Sequence, residues 1–169
     1  MWLTASPVCR KYEEMKAQIY DLPSVLENTA FFLDAEQHKD ATRGHTTSWR
    51  QNILLHPGDF FEDKLPSADL FLLSRIVHDW SIASVSKLLD RVYAALNPNG
   101  AIFIAEMLLN ESGDGPASAT LQSLNMLVQT DGRERSFSEY RNLLQAHGFV
   151  NVQCKRSGTY LDGILAFKK

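Results

Sequence analysis

The sequence has little of what a disulfide-stapled or membrane-spanning protein needs. Cys9 and Cys154 are its two cysteines, and a single possible pair without CxxC spacing predicts no disulfide framework. The longest apolar runs, such as residues 101–105, are about five residues long, whereas a membrane-spanning helix needs roughly 20. The first residues also lack the basic and apolar segments of a secretion signal. We therefore expect a cytoplasmic protein that does not cross a membrane.

The sequence also lacks a large excess of positive or negative charge. The chain has 17 Lys and Arg against 20 Asp and Glu, a formal net charge of -3 and a pI near 5.9. This balance predicts no surface that attracts nucleic acid or an anionic membrane. The five histidines form no HExxH motif or other metal-ligand spacing, so we expect no metal site. A small, weakly charged ligand fits this composition best.

What is present indicates an α/β fold. Short apolar runs alternate with helical patterns of about 10 to 15 residues, which is typical of right-handed βαβ units in a mostly parallel sheet. The polar stretch 34–51 is predicted to be a helix end and a loop. We predict strands at 16–22, 53–56, 68–74 (buried on both faces) and 101–106, helices from Pro23 through Phe32, at 82–96, around 121–128 and at 138–147, and an antiparallel pair at 150–154 and 163–167.

Polar residues at the carboxyl ends of these strands are the first candidates for a site, because open parallel sheets bind ligands there. They are Asp21, Asp59, His78 and Glu106. Each also has a structural alternative: Asp21 can cap the helix after Pro23, and a lone histidine at a strand end is more often structural. The positions alone do not decide between the two.

Six stretches occur in an informative order: Tyr20-Asp21-Leu22-Pro23, Pro57-Gly58-Asp59-Phe60-Phe61, Val77-His78-Asp79-Trp80, Ala105-Glu106, Leu124-Asn125-Met126-Leu127-Val128 and Asp131-Gly132-Arg133-Glu134-Arg135. Together they resemble the motifs of the S-adenosylmethionine-dependent O-methyltransferases, from about Cys9 to the C-terminus. The resemblance implies a class I methyltransferase Rossmann-like sheet with helices on both faces and a C-terminal antiparallel hairpin. Residues 1–169 would then be a partial O-methyltransferase catalytic domain.

The resemblance implies that the cofactor is S-adenosylmethionine. Asp21 would accept hydrogen bonds from the ribose hydroxyls, Gly58 and Asp59 would lie near the adenine, and Phe60 would stack on it. Arg75 matches a position that contacts the cofactor. The alternatives are that Phe60 is a core aromatic and that Arg75 is an exposed residue at a strand end.

The resemblance also implies a catalytic group. His78 would be the general base that takes a proton from an aromatic hydroxyl, because a histidine pKa lies near neutral pH. Glu106 and Glu134 would orient and polarise its imidazole, and Asn125 and Met126 would line the pocket of a small aromatic acceptor, such as an N-acylated hydroxyindole. Glu134 as a solvated charge and Met126 as a core residue are the alternatives.

One motif of the family is missing. The first 43 residues contain no glycine, although the family has a strand and a glycine-rich turn before the position of Asp21. Without that strand, the strands at 16–22 and 68–74 would each lose a neighbour. Residues 2–6 could form a substitute strand, the two neighbours could pair directly, or the chain could be truncated. The family's dimerisation domain, on which its homodimer depends, is absent too.

Three functions follow from these patterns. The first is an O-methyltransferase with His78 as its base. The second is a catalytically inactive remnant that acts as an interaction or regulatory module, which the missing glycine turn favours. A dinucleotide-dependent dehydrogenase is the third, and it is disfavoured because it leaves the motifs of His78 and Glu134 unexplained.

Overall fold

The computed structural model describes residues 2–45 and 48–169, and the chain divides into two compact units, Met1–Lys64 and Leu65–Lys169. Helices and strands alternate along both, which confirms the predicted α/β class. The first unit contains α1 (Trp2–Lys11), β1 (Ala17–Asp21), α2 (Pro23–Thr42), a 3₁₀ helix (Ser48–Asn52) and β2 (Ile53–Pro57). The second contains β3 (Ala68–Ser74), a 3₁₀ turn (Val77–Asp79), α3 (Ile82–Ala95), β4 (Leu96–Glu106), β5 (Leu108–Leu109), α4 (Ala117–Gln129), β6 (Arg135–Ser136), α5 (Phe137–Ala146), β7 (Phe149–Lys155) and β8 (Asp162–Lys168).

The first unit is built on a parallel pair of strands. β1 and β2 run side by side, with Asp21 opposite Pro57 in the register. Pro23 begins α2 as predicted, since proline lacks the N–H that a first helical turn leaves unused. The buried side chains of this unit form one core: Cys9, Ile19, Leu26, Leu33, Trp49 and Ile53.

Residues 2–6 do not form the substitute strand that we considered. They belong to α1, which continues to Lys11. Ser6 and Cys9 are buried, whereas the neighbouring Pro7 is exposed, and this spacing places the two buried residues on one helical face. The Ser6 hydroxyl donates to Glu36 at 2.9 Å. The packing of this face explains why a helix forms despite the proline inside it.

The prediction for 34–51 was right in part. α2 ends inside this stretch, at Thr42, but a 3₁₀ helix begins at Ser48. The indole N–H of Trp49 donates to the carboxylate of Asp40 at 3.0 Å, and both side chains are buried. A buried carboxylate needs such a donor. The other described residues of this polar stretch are exposed or half-buried, as predicted, and the buried hydrogen bond is what the polar composition did not indicate.

The second unit is built on a four-stranded sheet in the order β3-β4-β8-β7. β3 and β4 are parallel neighbours. α3 connects them along the chain, as in a βαβ unit. β7 and β8 are antiparallel, which confirms the C-terminal hairpin, and β8 also pairs antiparallel with β4. β4 begins at Leu96, five residues before the predicted start at Ala101.

Capping residues and apolar spacing set the helices of this unit. Ser81 caps α3 by accepting the N–H of Ser84, and the apolar residues at spacings of three and four face inward. Ser136 and Glu139 form a capping box at the start of α5, which satisfies two N–H groups that the first turn leaves unpaired. The buried residues of α3 are Val85, Leu88, Leu89 and Val92.

β3 is less buried than we predicted. Its pattern has one buried residue, Leu73, and Leu70 is 51% exposed. In the described part of the chain, β3 pairs with β4 alone and β1 pairs with β2 alone. Each of these strands therefore has a single hydrogen-bonded neighbour, as expected when the strand of the glycine turn is missing.

Among residues 2–45 and 48–169, no helix combines the length and the apolar character that a membrane span needs.

Replacing Leu33 by Ala tests the core of the first unit. Leu33 is fully buried, so Leu33→Ala removes packed methyl groups and should lower the free energy of unfolding by about 2 to 5 kcal/mol. Phe31→Ala on the same helix is the matched control, because Phe31 is 70% exposed and its loss should cost about 0.5 kcal/mol or less. Urea unfolding followed through the amide signal of Ile19 measures both, and equal losses would contradict the assigned core.

Candidate functional site

Four of the predicted cofactor-binding residues lie together in the first unit. Asp21 is the last residue of β1, and Gly58 follows directly after β2. The backbone N–H of Gly58 donates to the carbonyl oxygen of Asp21 at 3.0 Å. Because β1 and β2 are parallel, their carboxyl ends meet at one edge, and this edge also carries Asp59 and Phe60.

The side chains at this edge are already engaged in local contacts. The Asp21 carboxylate accepts the N–H of Leu22 at 2.9 Å, and the Asp59 carboxylate accepts the N–H of Phe61 at 2.7 Å. Phe60 packs edge to face on Phe61, with ring centroids 4.7 Å apart. Asp59 thus shapes the turn after β2, while Asp21 and Phe60 stay partly exposed.

The three predicted catalytic residues lie together in the second unit. His78 lies in the 3₁₀ turn after β3, Glu106 ends β4, and Glu134 directly precedes β6. Each offers one ligand atom, and these atoms lie within 4.8 Å of one another. The side chains are 3%, 0% and 0% exposed, in that order. The structure thus joins three groups that are 28 residues or more apart in sequence.

His78 has a carboxylate beside each ring nitrogen. Its Nδ1 lies 3.0 Å from Oε1 of the buried Glu134, and its Nε2 lies 3.3 Å from Oδ1 of Asp79. Asp79 is more exposed than its partners, at 38% of its side chain. The sequence analysis assigned no role to Asp79, although its position directly after His78 could have indicated a contact with the imidazole.

Glu106 mainly supports the backbone of the turn. Its Oε1 accepts the N–H groups of Ile76 and Val77, each at 3.0 Å. These two residues immediately precede His78, so Glu106 fixes the start of its turn. The carboxylate that contacts the imidazole directly is that of Glu134.

Arg75 completes the cluster with a positive charge. Its Nη1 donates to Oε1 of Glu134 at 2.8 Å and lies 3.5 Å from Oε2 of Glu106. The backbone of Arg75 is left-handed, with a φ of 56°, a strained conformation for a residue with a Cβ. The structure places this guanidinium between the two carboxylates, and its contact with a cofactor stays a prediction.

These surroundings perturb the protonation of the site. Burial by itself lowers the pKa of His78, but the contact with Glu134 and the charges of Glu106 and Glu134 outweigh it and raise the pKa above its ordinary 6.5. Burial also raises the pKa of Glu106 to about 7, against the opposing charge of His78. Both shifts favour the protonated forms of these two groups.

The two predicted acceptor-binding residues face different surroundings on α4. Asn125 is exposed, and its side-chain oxygen accepts from Gln129 at 2.7 Å. Met126 is 5% exposed and belongs to the core. α4 reaches the catalytic cluster through Ser123, whose hydroxyl accepts the N–H of Glu134 at 3.3 Å.

The cluster can take up a proton and hold an imidazolium. His78, Glu106 and Glu134 also have the ligand types and spacing that a divalent cation could use. However, the Arg75 guanidinium already contacts both carboxylates and supplies the positive charge that they need. The arrangement therefore favours proton transfer at His78 over metal chemistry.

Comparison with known proteins gives one consistent family. A family model for the O-methyltransferase domain matches residues 3–150. Acetylserotonin O-methyltransferase of Bos taurus is 44% identical over 157 residues, which are 93% of this chain and 42% of that protein. A probable bifunctional dTTP/UTP pyrophosphatase/methyltransferase protein of Homo sapiens is 42% identical over 166 residues, 97% of this chain and 25% of that protein. The chain thus spans less than half the length of these curated relatives.

Solved structures agree with this result. Human N-acetylserotonin methyltransferase in complex with SAM has a TM-score of 0.79 and 37% identity, over 95% of this chain and 42% of that one. An O-methyltransferase family 2 protein from Planctomyces limnophilus in complex with apigenin has a TM-score of 0.85 and 30% identity, over 97% of this chain and 47% of that one. The class I methyltransferase fold predicted from the sequence is confirmed.

Replacing Glu134 by Gln tests the electrostatics of His78. The contact with Glu134 and its charge raise the pKa of His78, so Glu134→Gln should lower that pKa. An NMR titration of the His78 ring carbon signals measures it. Glu111→Gln is the matched control, since Glu111 accepts from Ser136 and Ser138 instead. An unchanged pKa in Glu134→Gln would contradict the contact.

Proposed function

Because the chain belongs to the O-methyltransferase domain family, we propose that it carries the catalytic base for methyl transfer from S-adenosylmethionine to an aromatic hydroxyl. The observation that carries the proposal is the buried imidazole of His78, with Nδ1 3.0 Å from the Glu134 carboxylate. The names of the relatives support an acetylserotonin-like acceptor. Since the chain spans 42% of the acetylserotonin O-methyltransferase of Bos taurus, the activity of the whole protein is part of the proposal.

His78 would act by taking the proton of the acceptor hydroxyl. A hydroxyl is a weak nucleophile until a base with a pKa near the working pH removes this proton. Glu134 would hold the other ring proton at Nδ1, so that Nε2 is the nitrogen that accepts. The same carboxylate would stabilise the imidazolium that forms, as an acidic partner does in other histidine-based sites.

The edge of the first unit fits the adenosine part of S-adenosylmethionine. A carboxylate at the end of a parallel strand, here that of Asp21, can accept both ribose hydroxyls. Gly58, Asp59 and the partly exposed ring of Phe60 would hold the adenine, which is apolar on its faces. When bound, the sulfonium of this cofactor supplies the methyl group.

The acceptor would be held partly by α4. The exposed amide of Asn125 can hydrogen-bond a polar group of the ligand once it leaves Gln129. Met126 is buried and would act through the shape of the surface rather than by direct polar contact. Both residues therefore stay proposed contacts of a small aromatic acceptor.

A second candidate function is that of a non-catalytic interaction module. Two observations together favour it. In the described residues, β3 pairs with a neighbouring strand on one side alone, and α4 carries exposed apolar side chains. Leu127 and Val128 are 72% and 80% exposed, and such surfaces mark interaction sites. Cofactor binding distinguishes the two candidates, because a pure interaction module does not need it.

Calorimetry with S-adenosylmethionine tests the cofactor edge. Asp21→Asn keeps an oxygen that can accept the N–H of Leu22 but loses the charge, so the affinity should fall by about 1 to 3 kcal/mol because a ribose hydroxyl loses its partner. Asp34→Asn, an exposed change on α2 at the Arg50 ion pair, is the control and should leave the affinity unchanged. No binding of the unaltered chain at millimolar cofactor would favour the interaction module.

Methyl transfer to N-acetylserotonin tests the base. His78→Gln should lower kcat by roughly 100- to 10,000-fold, whereas the exposed His38→Gln should leave it unchanged. The unaltered chain should lose activity as the pH falls through the raised pKa of His78, because the imidazolium cannot accept a proton. Mass spectrometry of the O-methylated product measures the rate, and a His78→Gln variant with full kcat would exclude this base.

A further inference from the structure

We propose that Arg135 is a positioning residue whose guanidinium holds the turn of His78 against Glu134. This inference deepens the proposed function and rests on His78 being the base. We call residues 76–80 the histidine turn. Arg135 is 4% exposed, and burying an arginine is costly unless its N–H groups find acceptors. The acceptors that it finds are backbone carbonyls, two of them in this turn and one that of Arg133.

The guanidinium bridges the two sides of the histidine. Its Nη1 donates to the carbonyl oxygen of Val77 at 3.0 Å, and its Nη2 donates to that of Trp80 at 3.1 Å. Val77 precedes and Trp80 follows the pair formed by His78 and its neighbour Asp79. Because the N–H groups of a guanidinium have a fixed planar geometry, the two bonds set the spacing of the carbonyls and therefore the path of the backbone between them.

Gly132 supports the same turn from the other end of this short segment. A Cβ at position 132 would lie 2.0 Å from the carbonyl oxygen of His78 and 2.5 Å from the carbonyl carbon of Asp79. Both are backbone atoms, so no side chain can move aside to make room. The backbone of Gly132 therefore packs directly on the histidine turn, where any larger residue would displace it.

Residues 132–135 thus contact the turn in three ways. Gly132 packs on its backbone, Arg135 bonds its carbonyls, and Glu134 between them contacts the imidazole Nδ1. Since the three belong to one short segment, a shift of the turn relative to Arg135 also changes the distance from His78 to Glu134. Glu106 holds the opposite end of the turn through the N–H groups of Ile76 and Val77.

The inference predicts an effect on the protonation of His78. The charged groups that surround its ring are Arg75, Asp79, Glu106 and Glu134. Of these, Glu134 makes the 3.0 Å contact with Nδ1. If the turn is released, this contact lengthens and the imidazolium loses its strongest partner. Arg135 is itself a cation beside this turn, and losing its charge would by itself raise the pKa of His78. A variant that keeps the charge therefore isolates the effect of position.

Arg135→Met and Arg135→Lys in the full chain test the inference by an NMR titration of His78. Arg135→Lys keeps the charge but loses the planar set of donors, so it should lower the pKa of His78 through the longer contact with Glu134 alone. Arg135→Met removes the carbonyl bonds and also a positive charge, which by itself raises that pKa, so Arg135→Lys is the deciding variant. Arg141→Met is the matched control: the exposed Arg141 on α5 stacks on Phe137, and its loss should leave the pKa of His78 unchanged.

Methyl transfer gives the second readout. Arg135→Met should lower kcat by roughly 10- to 100-fold, since a base displaced by about 1 Å loses its alignment, while KM for S-adenosylmethionine should stay within about twofold. If Arg135→Met does not fold, the measurements on Arg135→Lys still decide. A folded Arg135→Lys variant with an unchanged pKa of His78 overturns the inference.

The titration also separates this inference from the proposed function. It needs no methyl transfer, so it remains decisive if the unaltered chain shows no activity. A lowered pKa of His78 in Arg135→Lys together with full activity of His78→Gln would keep the positioning contact and reject His78 as the base. An unchanged pKa together with an inactive His78→Gln would keep the base and reject the role of Arg135.

Discussion

The contact between the His78 imidazole and the Glu134 carboxylate is the interaction on which the site depends. Both side chains are almost fully buried, and a buried charge is stable only when it is paired. Burial alone would lower the pKa of His78, and the neighbouring carboxylates reverse this. The second unit thus holds a buried imidazole whose pKa is raised rather than lowered, at the position that the proposed function gives to the general base.

Two buried carboxylates in one site would repel each other without compensation. The cluster compensates in two ways. Arg75 contacts Glu134 and Glu106 with one guanidinium nitrogen, and Glu106 accepts two backbone N–H groups. Burial still raises the pKa of Glu106 to about 7. The two glutamates therefore differ in role, since one contacts the imidazole and the other holds the backbone that carries it.

Much of the fold could be predicted from local patterns. The strand of residues 16–22, Pro23 at a helix start and the apolar spacing of α3 all rest on interactions between near neighbours in sequence. The errors arise where distant contacts decide. Residues 2–6 are helical because Ser6 and Cys9 pack inward, and the 3₁₀ helix that begins at Ser48 is tied to α2 by the bond between Trp49 and Asp40. The residues that these side chains contact cannot be identified from the pattern of the segment in which each side chain lies.

The site shows the same division. The order of short motifs was sufficient to indicate the family, and the resemblance singled out His78, Glu106 and Glu134, whose catalytic roles stay predictions. The packing of β3, β4 and the segment before β6 decides which carboxylate contacts the imidazole. The same packing places Arg75 between the two carboxylates. A sequence records which groups are available. Their distances, burial and hence their pKa values follow from the packing of elements that are far apart along the chain.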